Sequence, residues 1–119
     1  MNTLVLVAAI LEALVGVVFI FLPGPFFGPL GVRLDEAGVL LARLFASALL
    51  GLVVVLWRAR ASADGALRQV AVRGLFVYFL VSAVVLAAAQ AGGLMNALGW
   101  ALVAVHAGFT AWSGAFLRK

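Results

Sequence analysis

Five side chains in this sequence could do chemistry that their neighbours could not: Glu12, Arg43, Ser47, Ser82 and His106. Each stands inside a long apolar stretch, where a polar or ionisable group is costly enough to raise a functional question by default. A carboxylate and an imidazole held together make a protonatable centre, able to relay protons or to hold the polar head of a lipid-soluble ligand. The same two groups could instead form a hydrogen bond that only fixes helix register. Counting ~1.5 Å per residue from the outer helix ends puts Glu12 about 15 Å deep, Ser47 about 14 Å, Ser82 about 12 Å and His106 about 17–18 Å. One polar group per helix at nearly one level predicts a shared interior cluster near the midplane.

Helical spacing sorts these residues onto faces. Glu12 shares its face with Ala8, Ala9 and Gly16, small residues that let membrane helices approach closely. Arg43, Ser47 and Gly51 form one stripe, His106 lines up with Gly99, Thr110 and Ser113, and Tyr78 pairs with Ser82. Helical side chains lean toward their own N-terminus. In an up-down arrangement the first and last helices are neighbours running oppositely, so Glu12 and His106 lean toward each other. A Glu12–His106 pair is therefore expected in preference to a Glu12–Arg43 salt bridge. Arg43 leans outward, toward Glu36, Asp35 or Gln90, as a snorkelling or loop-tethering residue. Ser47, Ser82 and Thr110 are expected to bond carbonyls of their own helices.

The elements that must carry these groups are four apolar runs. Leu4 to Leu22 is apolar apart from Gly16 and Glu12, and at ~1.5 Å per residue it covers about 28 Å, roughly the hydrocarbon thickness of a bilayer. No Lys or Arg precedes it and no A-x-A site follows it, so it reads as a retained span and not a cleaved signal peptide. The pattern predicts helices over about residues 3–22, 36–57, 70–90 and 94–117, an all-α integral membrane up-down four-helix bundle in a single domain. PGPFFGPLGVRL breaks the first helix as a plain connector, with Phe26 and Phe27 against the interface. Asp35 and Glu36 open the second helix at its positive end. The arginine-rich stretch 58–74 is a hydrophilic loop turning at Asp64-Gly65, and Ala91-Gly92-Gly93 is a tight connector.

Composition agrees. The 119 residues are 67% hydrophobic and 10% charged, with mean hydropathy +1.29, too few charges to coat a water-soluble domain of this length. The net charge of +4 is concentrated at the ends of apolar runs, which marks topology and argues against nucleic acid as a partner. Arg58, Arg60, Arg68, Arg73, Arg118 and Lys119 fall on one side and only Arg33 in the opposite loops, which places both termini and the 58–73 loop in the cytoplasm. Trp57, Trp100 and Trp112 suit an interfacial belt. Cysteine is absent, so disulfides and thiolate metal sites are excluded.

No catalytic motif is present, neither G-x-S-x-G, HExxH, P-loop nor dinucleotide fingerprint, and no enzymatic activity is expected. One histidine cannot make a bis-histidine haem or metal site, and only a Glu–His site shared between subunits would remain. No cofactor or metal is expected. The partners expected are membrane lipid, and other membrane subunits or further copies of the chain.

ARLFASALLGLVVVLWRAR (42–60), ALRQVAVRGLFVYFLVSAVV (66–85) and GLMNALGWALVAVHAGFTAW (93–112) resemble a family of small bacterial four-span membrane proteins of unknown function. That resemblance covers nearly the whole chain and implies a helical bundle in the bacterial inner membrane, without implying an activity. AAILEALVG also resembles the first helix of the small multidrug resistance transporters, which implies proton and cationic-drug binding at Glu12. The third helix lacks the Trp and glycine signature of those transporters. Two functions are thus expected to compete: an accessory or structural membrane subunit, and a proton-linked carrier or ligand-binding bundle centred on Glu12 and His106.

Overall fold

Proline and glycine set where each helix stops. The first apolar run forms α1, Asn2–Phe21. Leu22 leaves the helical region because the residue before a proline is disfavoured there. Pro23 then starts a new helix, since its fixed φ suits a first helical position. The structure, a computed structural model describing residues 1–117, thus turns the expected plain connector into a short helix α2, Pro23–Phe27, and a 3-10 turn over Gly28–Leu30. Gly31 closes that turn at φ +80, a left-handed conformation that glycine adopts without strain. Phe26 and Phe27, both half-buried, fold back onto Phe19, with ring centroids 4.8 and 5.2 Å away.

Helix α3, Glu36–Ala61, begins as the Asp35-Glu36 pair implies: the Asp35 carboxylate accepts from the Gly38 amide at 2.7 Å. It runs past Trp57 and ends among Arg58 and Arg60, cations that complement its negative end. The hydrophilic stretch is therefore mostly helical, and the expected loop shrinks to 62–64. Its Ala, Leu, Arg and Gln residues are good helix formers, and Asp64 caps the next helix by accepting from the Ala66 amide at 2.8 Å. Helix α4 spans Gly65–Ala91, opening five residues before the expected position 70. Gly93, at φ +79, ends the turn after it.

The last helix also differs. Leu94 to Leu98 is held in turns because the Asn96 side chain accepts from the Leu98 amide at 3.0 Å. Asparagine favours such capping over helix interior positions. Helix α5 is Gly99–Gly114, shorter than the expected 94–117, and turns follow it to Leu117. Arg118 and Lys119, expected to end this helix on the cytoplasmic side, lie outside the described residues.

All regular structure among the described residues is helical. Helices α1, α3 and α4 are long and apolar enough to cross a membrane; α5, with 16 residues, is short for that. The long helices associate as two pairs. On α1 the buried positions Val5, Ala9, Glu12, Gly16 and Phe19 recur at alternating spacings of four and three, and meet Ala42, Ala46, Leu49, Leu56 and Ala59 of α3. That is the pattern of a shallow-angle helix seam. Helix α4 lies along α5 through Phe79 stacked on Phe109 at 4.6 Å and Phe76 against Gly114. The pairs share one buried cluster, formed by Leu4, Val5, Ala8 and Ala9 of α1, Leu56 and Ala59 of α3, and Ala71, Val72, Leu75 and Phe79 of α4. Contact between α1 and α4 closes the assembly; α1 and α5, expected as neighbours, share no comparable seam.

Candidate functional site

Glu12 is the one ionisable residue buried in the interior among the described residues. Its place on the small-residue face of α1 leaves it 2 % exposed, against α3 and α4. The Tyr78 hydroxyl of α4 donates to its Oε2 at 3.2 Å, across the boundary between the two helix pairs. Tyr78 in turn stands edge-on to Phe79, at 4.9 Å between centroids. The expected Glu12–His106 pair does not form. Helix α4, and not α5, faces α1, so a tyrosine reaches the carboxylate first.

His106 is half-buried on α5 and bonds its own helix instead, Nδ1 lying 2.8 Å from the Leu102 carbonyl. A carbonyl oxygen only accepts, so Nδ1 is the donor in this contact. The imidazole stands edge-on to Phe79 at 5.7 Å. Phe79 therefore touches both His106 and Tyr78, the partner of the Glu12 carboxylate.

Ser47 and Thr110 bond their own helices as expected, Ser47 to the Arg43 carbonyl at 3.0 Å and Thr110 to the His106 carbonyl at 2.8 Å. Ser113, fully buried, does the same with Phe109 at 2.7 Å. Ser82 is half-buried and has no side-chain hydrogen bond among the described residues. Ser47 and Arg43 are exposed on α3, and Arg43 reaches α1 only in its last turn, about 12 Å along the axis from Glu12. The shared midplane cluster expected from equal depth is thus not assembled: depth along a helix does not fix the face.

Arg43 does tether, to a group that sequence does not display. Its Nε donates to the Ile20 carbonyl at 3.1 Å, in the last turn of α1. The final carbonyls of a helix lack intrahelical donors, and a cation there also complements the helix dipole. Asp35, Glu36 and Gln90, the expected partners, are engaged otherwise or not at all. Gln90 is buried and donates through Nε2 to the Asn96 carbonyl at 2.9 Å. Its Oε1 lies against Gly99, where a Cβ would collide with it. Asn96 also reaches the first connector, donating through Nδ2 to the Pro29 carbonyl at 2.8 Å and through its backbone to Leu30 at 2.8 Å. This clamp was missed by spacing arguments, although Asn96 stands in the Asn-Ala-Leu-Gly-Trp segment that carries part of the resemblance.

Two hollows flank α3. One, of ≈370 Å³, is lined by Leu34, Asp35, Glu36, Val39, Leu40 and Arg43; the other, of ≈140 Å³, by Arg58, Ala61, Ser62 and Leu67. Neither reaches Glu12, Tyr78 or His106. No group of three or more His, Cys, Asp or Glu gathers among the described residues.

One family model, described as a domain of unknown function (DUF8292), matches residues 6–118. No curated protein matches the chain, and no solved structure does.

Proposed function

The chain belongs to the DUF8292 family, and from that premise we propose that it is an accessory or structural protein of the bacterial inner membrane. It crosses the bilayer with the α3–α4 turn and both termini in the cytoplasm, α5 completing a fourth crossing, and it associates with other membrane subunits or with further copies of itself. The observation that carries this reading is the outer surface of the helices. Large apolar side chains such as Phe21 at 72 % and Leu14 at 62 % exposure line α1, and Leu41, Val54, Val70 and Val84 continue the pattern on α3 and α4. Lipid solvates such a surface and water does not. The polar groups at mid-helix support an architectural role, because Glu12, Ser47, His106 and Thr110 find their partners within the chain. The arginines Arg58, Arg60, Arg68 and Arg73 set the orientation.

Alkaline carbonate washing of membranes, with reporter fusions at the 62–64 turn and at the C-terminus, tests the placement; release of the protein, or a reporter active outside, defeats it. A second reading, a proton-linked carrier, draws on the buried Glu12 carboxylate at the boundary between the helix pairs and on the likeness of AAILEALVG to the small multidrug resistance transporters. Proteoliposomes under an imposed pH gradient, with ethidium as the cation, separate the two. The accessory role predicts no ethidium movement by the wild-type chain. Movement that is lost in Glu12→Gln would replace that role with the carrier.

A further inference from the structure

We propose that the hollow at the start of α3 binds the headgroup of one phospholipid carrying both a phosphate and a primary ammonium, the phosphate on Arg43 and the ammonium on Glu36 and Asp35. The site rests on the membrane reading above, to which it adds a ligand class and an order of contacts.

Arg43 supplies the first argument. A guanidinium has five N–H donors, and only Nε is used within the protein, on the Ile20 carbonyl. The terminal N–H groups meet no acceptor among the described residues. Arg43 stands seven residues into α3, about 10 Å along its axis, on a face shared with the exposed Leu40 and flanked by the exposed Leu44. Its side chain leans toward the helix N-terminus, hence toward the hollow. A cation facing hydrocarbon at that depth draws in an anion, and a lipid phosphodiester matches its planar fork.

Asp35 and Glu36 supply the second argument. Asp35 commits Oδ1 to the Gly38 amide and keeps its other oxygen free, while Glu36 is exposed and bonds nothing among the described residues. Two carboxylates above one guanidinium repel a purely anionic ligand, and the guanidinium repels a purely cationic one. A zwitterion with its ammonium outward and its phosphate inward satisfies both. A primary ammonium brings three N–H donors to the carboxylates, whereas a trimethylated one brings none. The volume of ≈370 Å³ falls within the ~300–1,000 Å³ usual for small-molecule sites. Below Arg43 the acyl chains have a track along Leu44, Ala48 and Gly51, where a Cβ on Gly51 would meet nothing within 4 Å.

The test is retention of lipid by the full chain. Wild type, Glu36→Gln and Arg43→Gln are placed in bilayers of equal phosphatidylethanolamine, phosphatidylglycerol and phosphatidylcholine, taken into mild detergent, and their bound lipids counted by native mass spectrometry. Arg58, Arg60 and Arg68 give every variant the same anionic-lipid background. The wild type is expected to retain phosphatidylethanolamine about tenfold over phosphatidylcholine, as one charge-assisted hydrogen bond implies. Glu36→Gln lowers that preference, Asp35 being the ammonium contact that remains, and Arg43→Gln loses the lipid itself. Should Arg43→Gln unfold through loss of its Ile20 contact, Glu36→Gln decides alone, because the Glu36 side chain bonds nothing among the described residues. Equal retention of all three headgroups by the wild type, or an unchanged preference in Glu36→Gln, overturns the site. Free O-phosphoethanolamine is expected to leave the lipid in place, and displacement by it at millimolar concentration overturns the lipid assignment. Release of the protein by alkaline carbonate would instead overturn the membrane reading, so the two failures are distinguishable.

Discussion

Along α1 and α3 the facing positions are small, with Ala8, Ala9 and Gly16 on one helix and Ala42 and Ala46 on the other. Along α4 and α5 they are large, with Phe79 stacked on Phe109 and Phe76 laid against Gly114. Under the proposed membrane placement, helices gain little from hiding apolar surface, since lipid is equally apolar; association comes from contact and from hydrogen bonds. Small residues achieve contact by bringing backbones together, and aromatic rings achieve it by filling the space between backbones that stay apart. The first seam is therefore vulnerable to added atoms and the second to removed ones.

The largest effect is expected where the second seam also meets the cluster shared by both pairs. Phe79 is fully buried, touches Phe109, Tyr78 and His106, and packs with Leu4, Val5 and Leu56. Phe79→Ala should destabilise by about 3 kcal/mol, the low end for a buried phenylalanine because, under the proposed membrane placement, lipid removes part of the transfer gain. Reversible unfolding in mixed micelles of increasing SDS fraction measures it. The mirror experiment on the first seam is Gly16→Val. A Cβ at Gly16 would come within 3.0 Å of Leu50 Cδ2, so the helices must part or the leucine shift, at about 2 kcal/mol. Gly108→Ala is the control on α5, where a Cβ meets nothing within 4 Å. If Gly16→Val were as silent as Gly108→Ala, the contrast between the seams would fail.

How much of this was legible in the sequence depended on what bounded each element. The apolar runs, Pro23 and the Asp35-Glu36 pair located the end of α1 and the start of α3, because breakers and caps are properties of single residues; Asp64 read only as a turn, although it caps α4. The start of α4 was misplaced because Arg68, Gln69 and Arg73 read as loop by polarity while being helix formers by propensity. The burial of Glu12 was legible from Ala8, Ala9 and Gly16, yet its partner was not. Choosing between Tyr78 and His106 requires knowing which helix faces α1, and periodicity on one helix carries no such information. Arg43 was legible as a tether, but its acceptor is a backbone carbonyl, which every residue owns and no sequence marks.

At the end of the molecule away from the shared cluster, the two pairs are joined through polar contacts instead. Asn96→Ala removes the bonds to Pro29 and to the Leu98 amide while leaving the backbone bond to Leu30. Both lost bonds are exposed, so the expected destabilisation is about 1 kcal/mol. Faster amide hydrogen exchange over residues 94–101 should report it before global unfolding does. Unchanged exchange there would leave the connectors independent and the pairs joined by the apolar cluster with the Tyr78–Glu12 and Arg68–Asn2 bonds.

Tyr78→Phe should have the smallest effect. The hydroxyl on Glu12 is a hydrogen bond between the two pairs, but helix-to-helix hydrogen bonds in bilayers average only about 0.6 kcal/mol. Removing a donor from a buried carboxylate can add a desolvation penalty, and Glu12→Gln separates the contributions because a carboxamide oxygen still accepts from tyrosine. A double-mutant cycle of Tyr78→Phe with Glu12→Ala should give a coupling near ~0.6 kcal/mol, well below the effect of Phe79→Ala. The apolar cluster already holds α1 against α4, so the bond has little left to secure. A coupling above about 2 kcal/mol, beyond the upper range for such bonds, would mean that the pairs are joined by Glu12 and Tyr78 and not by Phe79 and its neighbours. The order of effects across the two seams would then have to be reversed.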